Sequence, residues 1–153
     1  MARYTGVRGS ITPVLTNDNW TLHAASGESG KILEVHWGGE VTSTNQMETE
    51  IKRATTVGVT ITAGTAGKVH PNSPTNLLDF ATGWTTQPVL TGGTGVGTLF
   101  GTSWNAHGGV VRWLAAPGEE FIVIGMASAA ASISCRNYVG TSISSYGLVW
   151  DED

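Results

Sequence analysis

The chain has 153 residues and a formal net charge of −4, with its eight lysines and arginines scattered singly. That length suits one domain able to fold without disulfides or metals, and the lack of a basic run or patch argues against a nucleic-acid partner. Charged residues make up only 13% of the chain, about half the usual ~25%, so the surface must be largely neutral and polar, which suits close packing against neighbours.

Cys135 is the single cysteine. It allows no intrachain disulfide and no cysteine-rich zinc site, and it reads as a small buried hydrophobe. No run approaches the ~20 apolar residues of a membrane span, and residues 1–6 lack the apolar stretch of a signal peptide. The expectation is a soluble protein made in a reducing cytoplasm, with no membrane partner.

Residues 1–18 are a mixed polar segment punctuated by Gly6, Gly9 and Pro13. Tyr4, Val7, Ile11, Val14 and Leu15 mark it as an arm that packs along the domain or onto a neighbour, leaving 19–153 as the domain proper. A first strand is expected over 20–25, then a turn at 26–30. Residues 31–37 form a strong strand, with Leu33, Val35 and Trp37 on one face and Glu34 and His36 on the other. Residues 47–54 alternate again, with Met47, Thr49 and Ile51 on one side. Glu48, Glu50 and Lys52 then make a solvated outer face, although Glu, Lys and Met also favour a helix here.

Residues 57–62 fit a short strand or an extended loop. The stretch 63–76 reads as a long surface excursion of the kind that is often functional. Residues 77–82 fit a short helix or a strand, 83–90 resume extended structure, and the glycine-rich 91–97 is a turn. A strand over 98–104 leads through 105–108 to the best-marked stretch of the chain, 109–127. There, two β-branched, apolar runs flank Pro117-Gly118, which reads as strand, turn, strand in the manner of a hairpin. A small-residue turn at 128–131 precedes a strand over 133–139, a tight turn at Gly140-Thr141 and a last strand over 142–150.

Eight or nine short strands at this spacing, with no amphipathic helix, predict an all-β sandwich or barrel. A jelly-roll β-sandwich of about eight strands with an N-terminal arm fits the count. The paired cysteines of an immunoglobulin domain are missing.

Candidate chemistry is thin. His23, His36, His70 and His107 show neither His-x-His nor His-x3-His spacing, so no metal is expected. No Gly-x-Ser-x-Gly elbow occurs, and the 91–97 glycines lack the lysine of a phosphate loop. No enzyme and no cofactor are expected. Six tryptophans stand out. Trp37, Trp113 and Trp150 sit in apolar strands and read as core or sheet-to-sheet contacts. Trp84 and Trp104 lie among polar residues, as sugar-stacking platforms, interface anchors or caps on the sandwich ends. Arg112 alternates with Val111 and Trp113, and so faces away from them toward a subunit contact or a surface ion pair.

The segment from Lys31 to Trp37 ending in Gly-Gly, the polar strand near Arg53, the His70-Pro71-Asn72-Ser73-Pro74 loop, and Gly83-Trp84-Thr85-Thr86-Gln87-Pro88 form one pattern with two further runs. These are Gly108-Gly109-Val110-Val111-Arg112-Trp113 and Ala116-Pro117-Gly118-Glu119-Glu120-Phe121. Together they resemble the small jelly-roll structural proteins of tailed bacteriophages. The resemblance implies a virion protein without enzymatic activity, most directly a capsid decoration (cement) protein. Such a protein would sit on the capsid surface as a homotrimer, with the major capsid protein as its partner. The alternatives are a tail-fibre or receptor-binding knob and a free carbohydrate-binding module. Tyr4, Arg8, Trp84, Trp104, His107 and Arg112 are the interaction candidates.

Overall fold

The computed structural model describes residues 1–56, 58–90, 97–125 and 132–153. The expected turn at 128–131 and all but Gly97 of the expected turn at 91–97 lie outside the described residues, as do Val57 and the end of the 109–127 run. The described residues hold thirteen strands and no helix. They form two antiparallel sheets packed as a sandwich.

The first sheet runs β10 (Val110–Leu114), β3 (Ser29–Gly39), β13 (Ser144–Glu152), β1 (Ala2–Ile11), β6 (Ala66–Lys68), with β11 (Phe121–Ile124) also on β3. The second runs β5 (Val59–Ala63), β7 (Asp79–Thr86), β2 (Asp18–His23), β12 (Ser132–Val139), β4 (Gln46–Thr56), β8 (Val89–Leu90), with β9 (Thr98–Asn105) also on β4. The expected arm is thus largely a strand of the domain. From Ala2 to Arg8, β1 pairs residue by residue with β13, and β6 covers its other edge. The segment 63–76 contributes that β6, with Pro71, Asn72, Pro74 and Thr75 left exposed.

The period of two places the core. Trp20 and Leu22, Val35 and Trp37, Met47 and Ile51, Ile133 and Cys135, and Tyr146, Leu148 and Trp150 all point between the sheets and are buried. Two aromatic chains cross the gap. Tyr4 and Phe80 stack on Trp150 at 5.7 and 6.2 Å. Trp37, Phe100, Trp113 and Phe121 follow one another at 5.6, 6.1 and 4.1 Å between centroids. Such offset aromatic contacts add to the burial of large apolar surfaces.

Three local expectations are corrected. First, Leu33 is not the inward partner of Val35 and Trp37. The register slips between Val149↔Glu34 and Trp150↔Ile32, so Leu33 is the extra residue of a bulge and Ile32 takes the core position.

Second, the solvated face over 48–52 does not exist. β4 is a strand, but an interior one between β12 and β9. Glu50 and Lys52 are buried and paired at 3.0 Å, and Lys52 Nζ lies 4.9 Å from the Tyr138 ring centre.

Third, the Pro117-Gly118 turn does not reverse the chain. Gly118 has φ +90° and Glu119 N–H donates to Ala116 O at 2.9 Å, as a tight turn requires. Yet β10 and β11 both run antiparallel to the same edge of β3, one after the other. Residues 115–120 are therefore an excursion from one long edge strand. They sit opposite the Leu33 bulge, where Ala115 N–H donates to Leu33 O at 2.8 Å. Trp113 and Phe121 stack nearly parallel, 3° apart, across its base.

Candidate functional site

Of the six candidate residues, the fold brings two together. Arg8 and Trp84 line one cleft of about 320 Å³. Its walls are the end of β1 and the following loop, the start of β2, and β7 with Gln87; Thr62 of β5 completes it. The loop is shaped locally. Pro13 is buried, and Asn17 N–H closes a turn on Val14 O at 2.9 Å. Ser10, at φ +50°, is held by Glu40, which accepts from both its N–H (3.3 Å) and its Oγ (2.6 Å).

Arg8 ties this loop to β2. Its Nη1 donates to Asp18 O at 3.1 Å and Asn19 O at 2.9 Å. Asp18 N–H donates to Gln87 Oε1 at 3.1 Å, which fixes the amide plane of Gln87. The Asp18 carboxylate turns away. Its Oδ1 accepts from Arg136 Nε at 2.9 Å and its Oδ2 from Thr21 Oγ1 at 2.9 Å. Burial pushes the Asp18 carboxyl above its ordinary range, while Arg136 and Thr21 pull the other way. Burial also draws the Arg8 guanidinium below its usual value. Among the described residues no carboxylate lies within ion-pair distance of Arg8.

Trp84 is half-buried and rigidly seated. Its Nε1–H donates to Thr21 Oγ1 at 3.1 Å, and the His23 ring meets it edge-on at 6.1 Å. Gly58 lies close behind the indole, where an added Cβ would fall 2.6 Å from Cδ2. Only glycine allows that approach.

The other four candidates lie elsewhere. Tyr4 is fully buried, stacked on Trp150, with its hydroxyl donating to Pro74 O at 3.0 Å, so it offers a partner nothing. Trp104 is 8% exposed and donates from Nε1 to Thr49 Oγ1 at 3.0 Å; it is a core residue and not an outer platform. Its inward direction follows from pairing with Met47, which faces the core. His107 is exposed in the β9–β10 loop, with Nδ1 3.2 Å from Val41 O. Arg112 is exposed and forms a two-pronged ion pair with Glu34, at 2.6 and 2.8 Å. That pair holds the Glu34 carboxyl below its ordinary range.

The sequence reading passed over Asp18, Asn19, Gln87 and Arg136. Thr16-Asn17-Asp18-Asn19 reads as the end of the arm, and Gln87 as part of an extended run. The one local signal was a cluster of turn-forming polar residues before a strand. Among the described residues no group of three or more His, Cys, Asp or Glu is placed to hold a metal ion. Comparison of the chain with protein-family models, with curated proteins and with solved structures returns no match.

Proposed function

We propose that the chain is a jelly-roll structural module of a virion. In this reading it is a capsid decoration protein that binds the major capsid protein on the outer face of a phage head as a homotrimer. The strand pairings support the jelly-roll part. With β5–β8 taken as an insertion and β11 as a continuation of β10, eight strands remain. Their pairings are nested: β1 with β13, β2 with β12, β3 with β10, β4 with β9. That is one long ribbon of paired strands. The β13–β3 and β12–β4 pairings then roll the ribbon into two sheets, as a jelly roll with its two Greek keys requires.

The observation that carries the assembly role is an apolar row on the β10–β11 edge strand. Val110 is 80% and Leu114 62% exposed, and Ile122 and Ile124 are exposed beside them. Among the described residues no strand pairs with the outer side of β10 or β11. A free edge carrying exposed branched side chains favours association with another chain. The low charge of the whole chain removes the repulsion that would oppose it.

Light scattering of the purified protein is expected to give three times the 16.0 kDa monomer mass. Leu114→Lys should return it to monomer without loss of strand signal. Co-sedimentation with phage heads stripped of their decoration is expected for the wild type. A stable wild-type monomer refutes the trimer, and failure to sediment with heads refutes the cement role.

A further inference from the structure

The cleft beside Trp84 has no part in edge association, yet it is built like a binding site. Arg8 supplies the first observation. Among the described residues, all the hydrogen bonds of its side chain leave from Nη1. The three other arginines that meet carboxylates here do so through Nε and Nη2: Arg3 on Asp151, Arg112 on Glu34 and Arg136 on Asp18. In Arg8 that same edge has no partner among the described residues, although the side chain is half-buried and lines the cleft. The Nε–Nη2 edge presents two parallel N–H groups and matches a carboxylate with both.

Trp84 supplies the second. It is a flat apolar surface held in place by Thr21, His23 and Gly58, and it lines the same cleft. The remaining walls set the hydroxyls and amides of Thr12, Thr62, Thr82, Asn17 and Gln87 beside the apolar Ile11, Pro13 and Val14, and the carboxylate of Asp18, which also lines the cleft, is held by Arg136 and Thr21. The Gln87 carbonyl is occupied by Asp18 N–H, which orients its NH2 as a donor. A single cation, one aromatic plane and several neutral donors and acceptors do not suit a phosphate, which calls for more positive charge. They suit a ring with an apolar face, many hydroxyls and one carboxylate. At about 320 Å³ the cleft sits at the small end of ligand sites, which span roughly 300–1,000 Å³, so one sugar unit is the size it takes.

We propose that this cleft binds a carboxylated saccharide, a uronate or sialate unit, with its carboxylate on the Nε–Nη2 edge of Arg8 and its ring against the Trp84 indole. The interaction is reversible and involves no covalent step. It is independent of head binding, so either activity is able to fail without the other.

The test is a 1H–15N correlation titration of the full chain with methyl glucuronide and with the methyl glycoside of N-acetylneuraminic acid. Methyl glucuronamide, the same sugar without the charge, is the control. Shifts are expected for the Trp84 indole N–H and for residues 8–19 and 82–87 with at least one acidic sugar, and at least tenfold weaker binding of the amide. Arg8→Gln should weaken the acidic sugar at least tenfold and leave the amide unchanged; Trp84→Phe should weaken both. No shifts with either acidic sugar, or equal binding of glucuronide and glucuronamide by the wild type, overturns the proposal without recourse to any variant.

Discussion

Asn137 is the most consequential polar residue in the interior. It is fully buried on β12, and its Oδ1 accepts from Thr49 Oγ1 at 2.8 Å, Asn19 Nδ2 at 2.9 Å and Tyr146 OH at 3.0 Å. Its own NH2 donates to Gly140 O at 3.3 Å. Asn137→Leu keeps the branched skeleton, replaces the amide O and NH2 by two bulkier methyl groups and strands three donors in the core. Each stranded buried group costs about 1–3 kcal/mol. A carbonyl oxygen has two lone pairs for three donors, so the three losses do not add in full, and a total of about 3–5 kcal/mol follows. That is a large share of a domain stability of about 5–15 kcal/mol. Tyr146→Phe removes only the longest of the three bonds and leaves Oδ1 satisfied by two, so about 1 kcal/mol is expected. Urea unfolding followed by tryptophan fluorescence, extrapolated linearly to water, measures both. The reasoning is refuted if Asn137→Leu lies within about 1 kcal/mol of wild type, or if Tyr146→Phe costs as much as Asn137→Leu.

Three further outcomes are expected. Lys52→Met leaves the buried Glu50 carboxylate without its cation and should cost about 3–5 kcal/mol, whereas Glu50→Leu combined with Lys52→Met should recover most of the loss in the same urea assay. Gly39→Ala places a Cβ inside contact distance of the Ala106 backbone carbonyl; backbone cannot swing aside as a side chain does, so at least ~1–3 kcal/mol is lost, read as a fall in melting temperature. Arg112 holds the Glu34 carboxyl below its unfolded value, so the pair's contribution is present above the ordinary carboxylate range of ~4.3 and disappears as pH falls through the lower folded value. The stability difference between wild type and Arg112→Gln should therefore shrink as unfolding is measured at successively lower pH, and a difference constant with pH would contradict the assignment.

Alternation placed Val35 and Trp37 of β3 and Met47 and Ile51 of β4 in the core, where they are buried. It failed where a neighbouring strand altered the count. The bulge at Leu33 lies in the β3–β13 register, opposite the excursion on the β10–β11 edge, and nothing local to residues 31–37 announces it. Glu50 and Lys52 resemble a solvated face because charge near charge usually is one; Lys52 lies against Tyr138 of β12 and Glu50 accepts from Thr98 Oγ1 of β9, both far along the chain. The strand within residues 1–18 was hidden for a related reason. Gly6 and Gly9 lower strand propensity, yet Gly6 is where the Phe80 ring packs against the backbone, 2.8 Å from where a Cβ would stand. Trp84 and Trp104 have similar polar surroundings in sequence, and only the pairing of Trp104 with Met47 sends it inward. The cleft itself joins β1, β2, β5 and β7, whose proximity is a property of the topology and not of any one segment.

The β10–β11 edge also explains why residues 115–120 leave the strand. A long, straight, apolar edge would recruit strand after strand without limit. Here the ladder is broken midway, at the Pro117-Gly118 excursion, and its two halves are held in line by the Trp113–Phe121 stack. On the β11 side, Arg53 Nη1 donates to Ile122 O at 3.0 Å, which occupies an edge carbonyl that an added strand would need. On the β10 side, the Arg112–Glu34 pair sets charge between Val110 and Leu114. The exposed side chains thus remain available for contact while backbone pairing along the edge is interrupted. An edge of that kind suits side-chain packing against a few copies and disfavours an open fibre, in keeping with the proposed closed homotrimer.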